Sequence, residues 1–265
     1  GSGEAGVRPW AEALGRAGGL RELAVNECEL AGGSVGQLGD AIAGMSRLQI
    51  LDLSLNALSV AGCWALSRGL AAVAPTLRVL LLDECSALYG EAVEALVASP
   101  LPSLRVLGLV GGHEPGPGGL SAVAGALGDG RLPALRLLRM RSGGEGDEGA
   151  RTVAAALPRA LELQELELFW TARLTNTGAM EIGRALPRAH RLRKLTMLGM
   201  SSVSQRGVDA LARGARAAPG LRELWVRATG AWESSPADLD TAGRVGWRGE
   251  RRLRVLPPLE DEWEF

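Results

Sequence analysis

The sequence has few residues of the types that build disulfide frameworks, aromatic cores or basic surfaces. It contains three cysteines, 4% aromatic residues and a single lysine, Lys194. Cysteines that are few and odd in number argue against a secreted domain held together by disulfides. They predict a reducing, intracellular and cytoplasmic environment. The net charge of −1 provides no overall field that would attract nucleic acid. No apolar run approaches the roughly 18 residues needed to span a bilayer, so no membrane span is expected.

The chain does have enough apolar residues for a large buried core, since 46% of its 265 residues are hydrophobic. It begins Gly1-Ser2-Gly3 without a methionine. Two hypotheses about this start stay open. Either the chain is a fragment of a longer protein, or a targeting segment or tag has been removed from it, and removal of a targeting segment would place it in an organelle.

Its strongest feature is an internal repeat of the pattern L-x-x-L-x-L, in which a few leucines are replaced by valine or methionine. Successive copies are separated by 27 to 31 residues. The eight copies begin at Leu20, Leu48, Leu77, Leu104, Leu135, Leu163, Leu192 and Leu221. Alternating apolar residues of this kind predict one face of a short strand.

A second pattern runs in phase with the first and predicts a helix in each unit. A glycine or a substitute for it is followed four and eight residues later by apolar residues, as in Gly62, Leu66 and Leu70. Each unit is therefore predicted to be strand, loop, helix and turn, and one unit cannot bury its apolar face alone. Stacked units would form an α/β solenoid with parallel strands on one face and helices on the other.

This combination resembles the ribonuclease-inhibitor-like leucine-rich repeats, over roughly residues 5 to 230. The resemblance implies a horseshoe with its strands on the concave face and its helices on the convex face. The family's Asn-or-Cys position holds Cys28, Asn56 and Cys85 in the early repeats, whereas the later repeats depart from it. Proteins of this type include enzyme inhibitors, GTPase-activating proteins, innate-immune sensors and cytoskeletal caps.

The repeat divides the chain into two regions. Residues 1–232 are predicted to form the leucine-rich-repeat solenoid of about eight repeats, with an N-terminal half-repeat. Residues 233–265 are predicted to form an irregular C-terminal cap and an acidic aromatic tail, and Leu253 with Leu256 is compatible with a ninth strand. Two glycine-rich segments, 111–119 and 142–149, are expected to protrude as loops at one rim.

Two short motifs mimic catalytic or binding sites but fit the repeat better. Ser34 lies in a G-x-S-x-G sequence, yet its position opens a helix, where it would serve as an N-cap. Residues 144–149 match G-x-G-x-x-G but carry three acidic residues where a pyrophosphate would bind. The cysteines are interpreted as packing residues. We therefore expect no enzyme activity and no cofactor or metal.

The residues between the leucines point away from the core into the hollow of the predicted horseshoe. A solenoid that binds nothing should be polar there, but its centre is apolar and its later strands carry aromatic and arginine residues, which are enriched at interfaces. The predicted partner-binding residues are Val79, Leu81, Val106, Val110, Leu137, Arg139, Phe169, Trp170, Trp225 and Arg227.

The sequence thus predicts a non-catalytic scaffold that binds a protein partner through its concave face. One alternative is that the segment from Trp232 to Phe265 covers that face. A second is an architectural subunit of a large organellar, photosynthetic or ciliary assembly, for which Trp64 on the predicted helix surface would supply another contact. A GTPase-activating or innate-immune sensor domain is a further alternative.

Overall fold

The computed structural model describes residues 18–86, 88, 90–111, 118–141, 144–169, 173–228 and 252–255, the last four as backbone only. In this part of the chain, nine strands form one parallel sheet in which each strand pairs with the next in sequence. The strands are β1 (Glu22–Ala24), β2 (Ile50–Asp52), β3 (Val79–Leu81), β4 (Val106–Leu109), β5 (Leu137–Arg141), β6 (Glu165–Phe169), β7 (Lys194–Leu198), β8 (Glu223–Arg227) and β9 (Arg252–Val255).

A helix follows each of the first seven strands, so the described chain is an α/β repeat protein with strand and helix in alternation. The helices are α1 (Gly33–Ala43), α2 (Val60–Val73), α3 (Gly90–Val97), α4 (Gly119–Gly128), α5 (Gly146–Ala156), α6 (Asn176–Ala185) and α7 (Gln205–Ala217). None of these helices has both the length and the apolar character that crossing a bilayer requires. The predicted N-terminal half-repeat lies almost wholly outside the described residues.

The repeated leucines align across the sheet as the sequence predicts. The second leucine of each copy pairs in register with its equivalents on both sides, as Leu51 does with Leu23 and Leu80. The series continues through Leu107 to Leu253 on β9, which confirms the ninth strand. From Leu23 to Leu224 these leucines share one continuous buried core with the apolar helix residues, because each strand turns alternate side chains towards the helices.

A left-handed backbone turn recurs just after the strands. Two residues beyond the last repeat leucine, or its substitute, φ is positive at Glu27, Leu55, Glu84, Gly111 and Gly199. Glycine adopts this conformation without steric cost, whereas the other three residues are held there by the surrounding structure. The turn redirects the chain from the sheet towards the next helix at the same point of the repeat.

Asn56, three residues after the last repeat leucine of its copy, ties the first two repeats together. Its side-chain oxygen accepts hydrogen bonds from the backbone N–H groups of Cys28 and Leu30, at 3.2 and 3.0 Å. Its amide nitrogen donates to the carbonyl oxygens of Val25, Leu53 and Ser54. A buried amide with all these groups satisfied fixes the loop between strand and helix. In the next repeat Cys85 is buried and its thiol donates to the Leu53 carbonyl.

The prediction of a protruding acidic loop at 142–149 is wrong for the residues described there. Helix α5 begins at Gly146, and Glu145 accepts hydrogen bonds from the N–H groups of Leu120 and Ser121 at the start of α4. Asp147 accepts from the Thr175 and Gly178 N–H groups at the start of α6. Carboxylates stabilise helix N-termini, so these acids join three successive repeats. Most of the other predicted loop, at 111–119, lies outside the described residues.

Two smaller predictions are also wrong. Ser34 does not cap a helix. Helix α1 begins at Gly33, so Ser34 lies inside its first turn and Gly32 occupies the N-cap position. Its buried hydroxyl instead donates to the Ala31 carbonyl at 2.7 Å. Cys28 is exposed rather than packed, and its thiol donates to the Asn26 carbonyl. Among the described residues no strand precedes β1, whereas the loop that carries Cys85 has described repeats on both sides.

Candidate interaction face

The sheet surface opposite the helices, here called the open face, consists of three rows of side chains that run across the strands. The first row starts each strand, the second lies two residues later and the third two residues later again. The first row holds Glu22, Ile50, Val79, Val106, Leu137, Glu165, Lys194 and Glu223. The second holds Ala24, Asp52, Leu81, Gly108, Arg139, Glu167, Thr196 and Trp225. The third holds Asn26, Ser54, Asp83, Val110, Arg141, Phe169, Leu198 and Arg227.

Nine of the ten predicted partner-binding residues lie on the open face, and the tenth, Trp170, lies outside the described residues. All nine are half-buried rather than fully exposed, because neighbouring side chains shield one another across the strands. Val79, Val106 and Leu137 are adjacent in the first row. The prediction left out Ile50, which extends this row to β2 and is half-buried in the same way.

A charged pair crosses the apolar centre of the open face. Asp83, two residues past the end of β3, forms an ion pair with Arg139 on β5, two strands away. Gly108 on β4, in register with Leu81 and Arg139, makes the contact possible, because a Cβ there would come within 2.9 Å of the nearer Asp83 carboxylate oxygen. The same oxygen accepts the Val110 N–H at 2.8 Å. Arg139 is therefore held in one place by a fixed carboxylate.

Towards β1 the second and third rows form a polar chain. Asp52 accepts hydrogen bonds from the Ser54 hydroxyl and from the Asn26 amide, at 2.6 and 3.0 Å. Ser54 in turn accepts the Asp83 N–H at 3.1 Å. Partial burial raises the pKa of Asp52, but the hydrogen bonds from Ser54 and Asn26 outweigh it, so the net shift is downward. This end of the face is therefore internally hydrogen-bonded.

Towards β8 the face carries a cluster of charges around Trp225. Lys194 forms an ion pair with Glu167 and lies 6.0 Å from the centre of the Trp225 ring, within reach of a cation–π contact. The Trp225 indole N–H donates to Glu223 at 3.1 Å. The hydrogen bond to Glu167 is the main cause that raises the pKa of Lys194, and the charges of Glu165 and Glu223 add to it despite partial burial.

The two predicted aromatic anchors lie diagonally rather than side by side. Phe169 is in the third row, in register with Leu198 and Arg227, whereas Trp225 is in the second row. Two strand spacings and two residues along the strand place their Cα atoms about 12 Å apart, somewhat more than the roughly 10 Å of a directly opposed pair. One partner segment can still contact both rings.

Charge is unevenly distributed across the width of the later strands. From β5 to β8 the first row contains two acids and one base, Glu165, Glu223 and Lys194, whereas the third row contains Arg141 and Arg227 and no acid. The strand-end edge of this part of the open face is therefore basic. The sequence contains a signal for this polarity, because residues at the same repeat position form one row. The signal lies along that row and not within any single strand.

The comparisons with known proteins do not assign this face. No protein-family model matches the sequence, and no curated protein matches it. Within the described ranges, no three His, Cys, Asp or Glu side chains come together in a way that could hold a metal ion.

Proposed function

We propose that this protein is a leucine-rich-repeat solenoid of the ribonuclease-inhibitor-like type that binds a protein partner through its open face and catalyses no reaction. Support for the family comes from the parallel sheet in chain order and from the leucines that align in register across it. In this proposal the sheet lines the concave side of a curved stack, because helices are wider than strands and force the stack to bend.

The observation that carries the binding role is the apolar centre of the open face with one fixed arginine in it. The first row of this centre consists of Val79, Val106 and Leu137, side by side. Leu81 lies next to them in the second row, where Asp83 holds Arg139. Apolar side chains that adjoin on a surface favour association, and arginine is enriched among interface hot spots. A preorganised guanidinium also loses less conformational entropy on binding.

The test is photo-crosslinking of the full chain in extract, with a benzophenone amino acid placed at Val106 or at Leu161. Leu161 is the matched control, because it is 67% exposed and precedes β6 outside the open face. We expect a discrete adduct with another protein from position 106 and none from position 161. Equal adducts from both positions, or adducts from 106 only with the chain's own residues 229–265, would refute the proposal.

A paired tryptophan substitution measures the energy of that contact. Trp225→Ala should weaken association with the captured protein by about 2 kcal/mol, in the range of interface hot spots. Trp64→Ala, on the outside of α2, should leave that affinity unchanged. Both variants should first be checked for unchanged melting, so that a loss of fold is not mistaken for a loss of binding.

A second candidate function is an architectural subunit that uses several surfaces. The observation in its favour is Trp64 itself, whose side chain is 50% exposed on the helix side. In that case Trp64→Ala would weaken co-purification as strongly as Trp225→Ala, and the complex would survive high salt. The same pair of variants therefore separates the two functions.

A further inference from the structure

The third row of the open face between β5 and β8 has the composition of a site for an acidic aromatic segment. Phe169 and Leu198 are adjacent and half-buried, and they are flanked in register by Arg141 and Arg227. We call these four residues the basic edge. The flanking arginines are three strand spacings apart, which is about 14 Å.

One arginine of the basic edge, Arg227, has unused hydrogen-bonding capacity. The Nε atom of Arg227 is buried and has no hydrogen-bond partner, and the same is true of Arg139 in the row beside it. A buried donor without an acceptor is unfavourable. A carboxylate placed against the same guanidinium group would form charge-assisted hydrogen bonds with it and neutralise its charge. The acids nearest in the first row, Glu165 and Glu223, lie beside Lys194 instead.

The chain itself contains a segment with the complementary chemistry. Residues 260–265 read EDEWEF, with four carboxylates, two aromatic rings and no basic residue. Strand β9 pairs with β8 and ends at Val255, one residue past the register position of Trp225, so the chain leaves the sheet at the strand-end side, where Arg227 lies. Residues 256–259 provide a spacer, and six extended residues reach about 20 Å, enough to cover the roughly 14 Å from β8 to β5.

We propose that residues 260–265 bind the basic edge of their own chain and thereby compete with the protein partner for the open face. The aromatic rings of Trp263 and Phe265 pack on the apolar pair, and the carboxylates pair with the flanking arginines. This inference rests on the proposed function, since it assigns a regulator to the same face. Attachment to the same chain gives the segment a high effective concentration, so a weak intrinsic contact suffices.

The experiment uses a fluorescein-labelled peptide of residues 257–265 and two full-length chains. The first chain is the wild type. The second, the released variant, carries Trp263→Ala, Phe265→Ala, Glu262→Gln and Glu264→Gln. We expect the peptide to bind the released variant at least about tenfold more tightly than the wild type, because only the released face is vacant. The affinity should fall as salt is raised.

Charge variants on the released chain then locate the site. Arg227→Glu should abolish peptide binding, and Arg227→Gln should weaken it, which guards against misfolding caused by the charge reversal. Arg206→Glu is the matched control, because Arg206 is exposed in the first turn of α7 on the helix side, and it should leave binding unchanged. Equal peptide affinity for wild-type and released chains, or an equal loss from the Arg206 and Arg227 variants, would overturn the inference.

The two proposals fail separately. If the peptide binds neither chain while position 106 still crosslinks to another protein, the self-binding inference is wrong and the proposed function stands. If the peptide binds the released chain as described but position 106 crosslinks only to residues 260–265, the inference stands and the partner proposal is wrong. Adducts between two copies that increase with protein concentration would contradict binding within one chain.

Discussion

The early repeats are joined to one another where their strands end, whereas the later repeats are joined where their helices begin. Around β1 and β2 the connection is the Asn56 side chain, which satisfies five backbone groups from two repeats. From α4 to α7 the connections are Glu145, Asp147 and Asn176, each of which bonds to the start of a neighbouring helix. The same stack of leucines is thus compatible with two different polar connections.

The open face differs between the same two regions. From β1 to β4 it is apolar or internally hydrogen-bonded, and from β5 to β8 it is charged and aromatic. Because the leucines that define the core are nearly constant along the chain, the outward residues and the loop connections are free to vary. Stability and recognition are therefore encoded at different positions of each repeat.

The largest expected effect comes from Asn56→Ala. Its side chain is only 4% exposed, and its removal leaves several buried backbone groups without partners, so we expect a loss of about 3 kcal/mol in the free energy of unfolding. Hydrogen exchange should show lost protection in β1 and β2 and normal protection in α6 and α7. Asn26→Ala, which removes one exposed hydrogen bond, should cost less than about 0.5 kcal/mol. Equal loss of protection at both ends would contradict the regional difference.

Asp147→Asn tests the later connection and should cost about 1–2 kcal/mol at neutral pH, after allowance for its partial exposure. Partial burial raises the pKa of Asp147, but hydrogen bonds from Thr175 and Gly178 outweigh it and lower the pKa below the ordinary value of 3.8. Because the pKa of Asp147 is lower in the folded state than in the unfolded state, its contribution to stability is complete above the unfolded-state pKa. That contribution is lost as the pH falls through the lower folded-state pKa.

The difference between wild type and Asp147→Asn in chemical denaturation should therefore be constant near neutrality and shrink below pH 3.8. Glu148→Gln, one residue later and exposed, is the control and should show little effect. A difference that grows as the pH falls would show that the carboxylate is not stabilised by these helix N-termini.

Gly108→Ala should destabilise the chain by about 1 kcal/mol, because the new methyl group meets the Asp83 carboxylate that holds Arg139. Gly125→Ala in α4 is a matched substitution with an open space around the new methyl group, and it should stabilise the chain by up to about 1 kcal/mol. Opposite signs in thermal melting would confirm the close approach at Gly108, and two changes of the same sign would contradict it.

The smallest expected effect is at the recurring left-handed turn. Leu55 has φ of 61° and is 50% exposed, so Leu55→Asn loses little packing and relieves backbone strain, for a gain of about 0.5 kcal/mol. Gly199→Ala makes the reverse change at the equivalent turn in the later region and should cost about 1 kcal/mol. If Leu55→Asn destabilised the chain, contacts of the leucine would outweigh the strain.

The parts of this fold that follow from periodicity could be predicted from the sequence. The register of Leu51, Leu80 and Leu107 follows from constant spacing, and so does the outward direction of Val79 or Phe169. The parts that depend on contacts between repeats could not. The glycine-rich acidic composition of 142–149 indicates a loop by itself, because the helix N-termini that bind Glu145 and Asp147 belong to other repeats.

The same distinction applies to the open face. Alternation along a strand identifies which residues point outward, but it does not show that Arg139 passes over Gly108 to reach Asp83. That contact depends on the relative position of three strands. Cys28 and Cys85 occupy the same position in the repeat, and they differ in burial because only Cys85 has a described repeat on both sides.

Pairing of the strands in chain order also determines how the molecule carries mechanical load. Between β1 and β9 the backbone of each strand pairs only with the strands next to it in sequence, so a pulling force along the stack passes through these pairings in series. Repeats would detach one after another from an end rather than together. Each released unit of about 28 residues adds roughly 95 Å of extended chain, so the force–extension curve should be a sawtooth with nearly even steps.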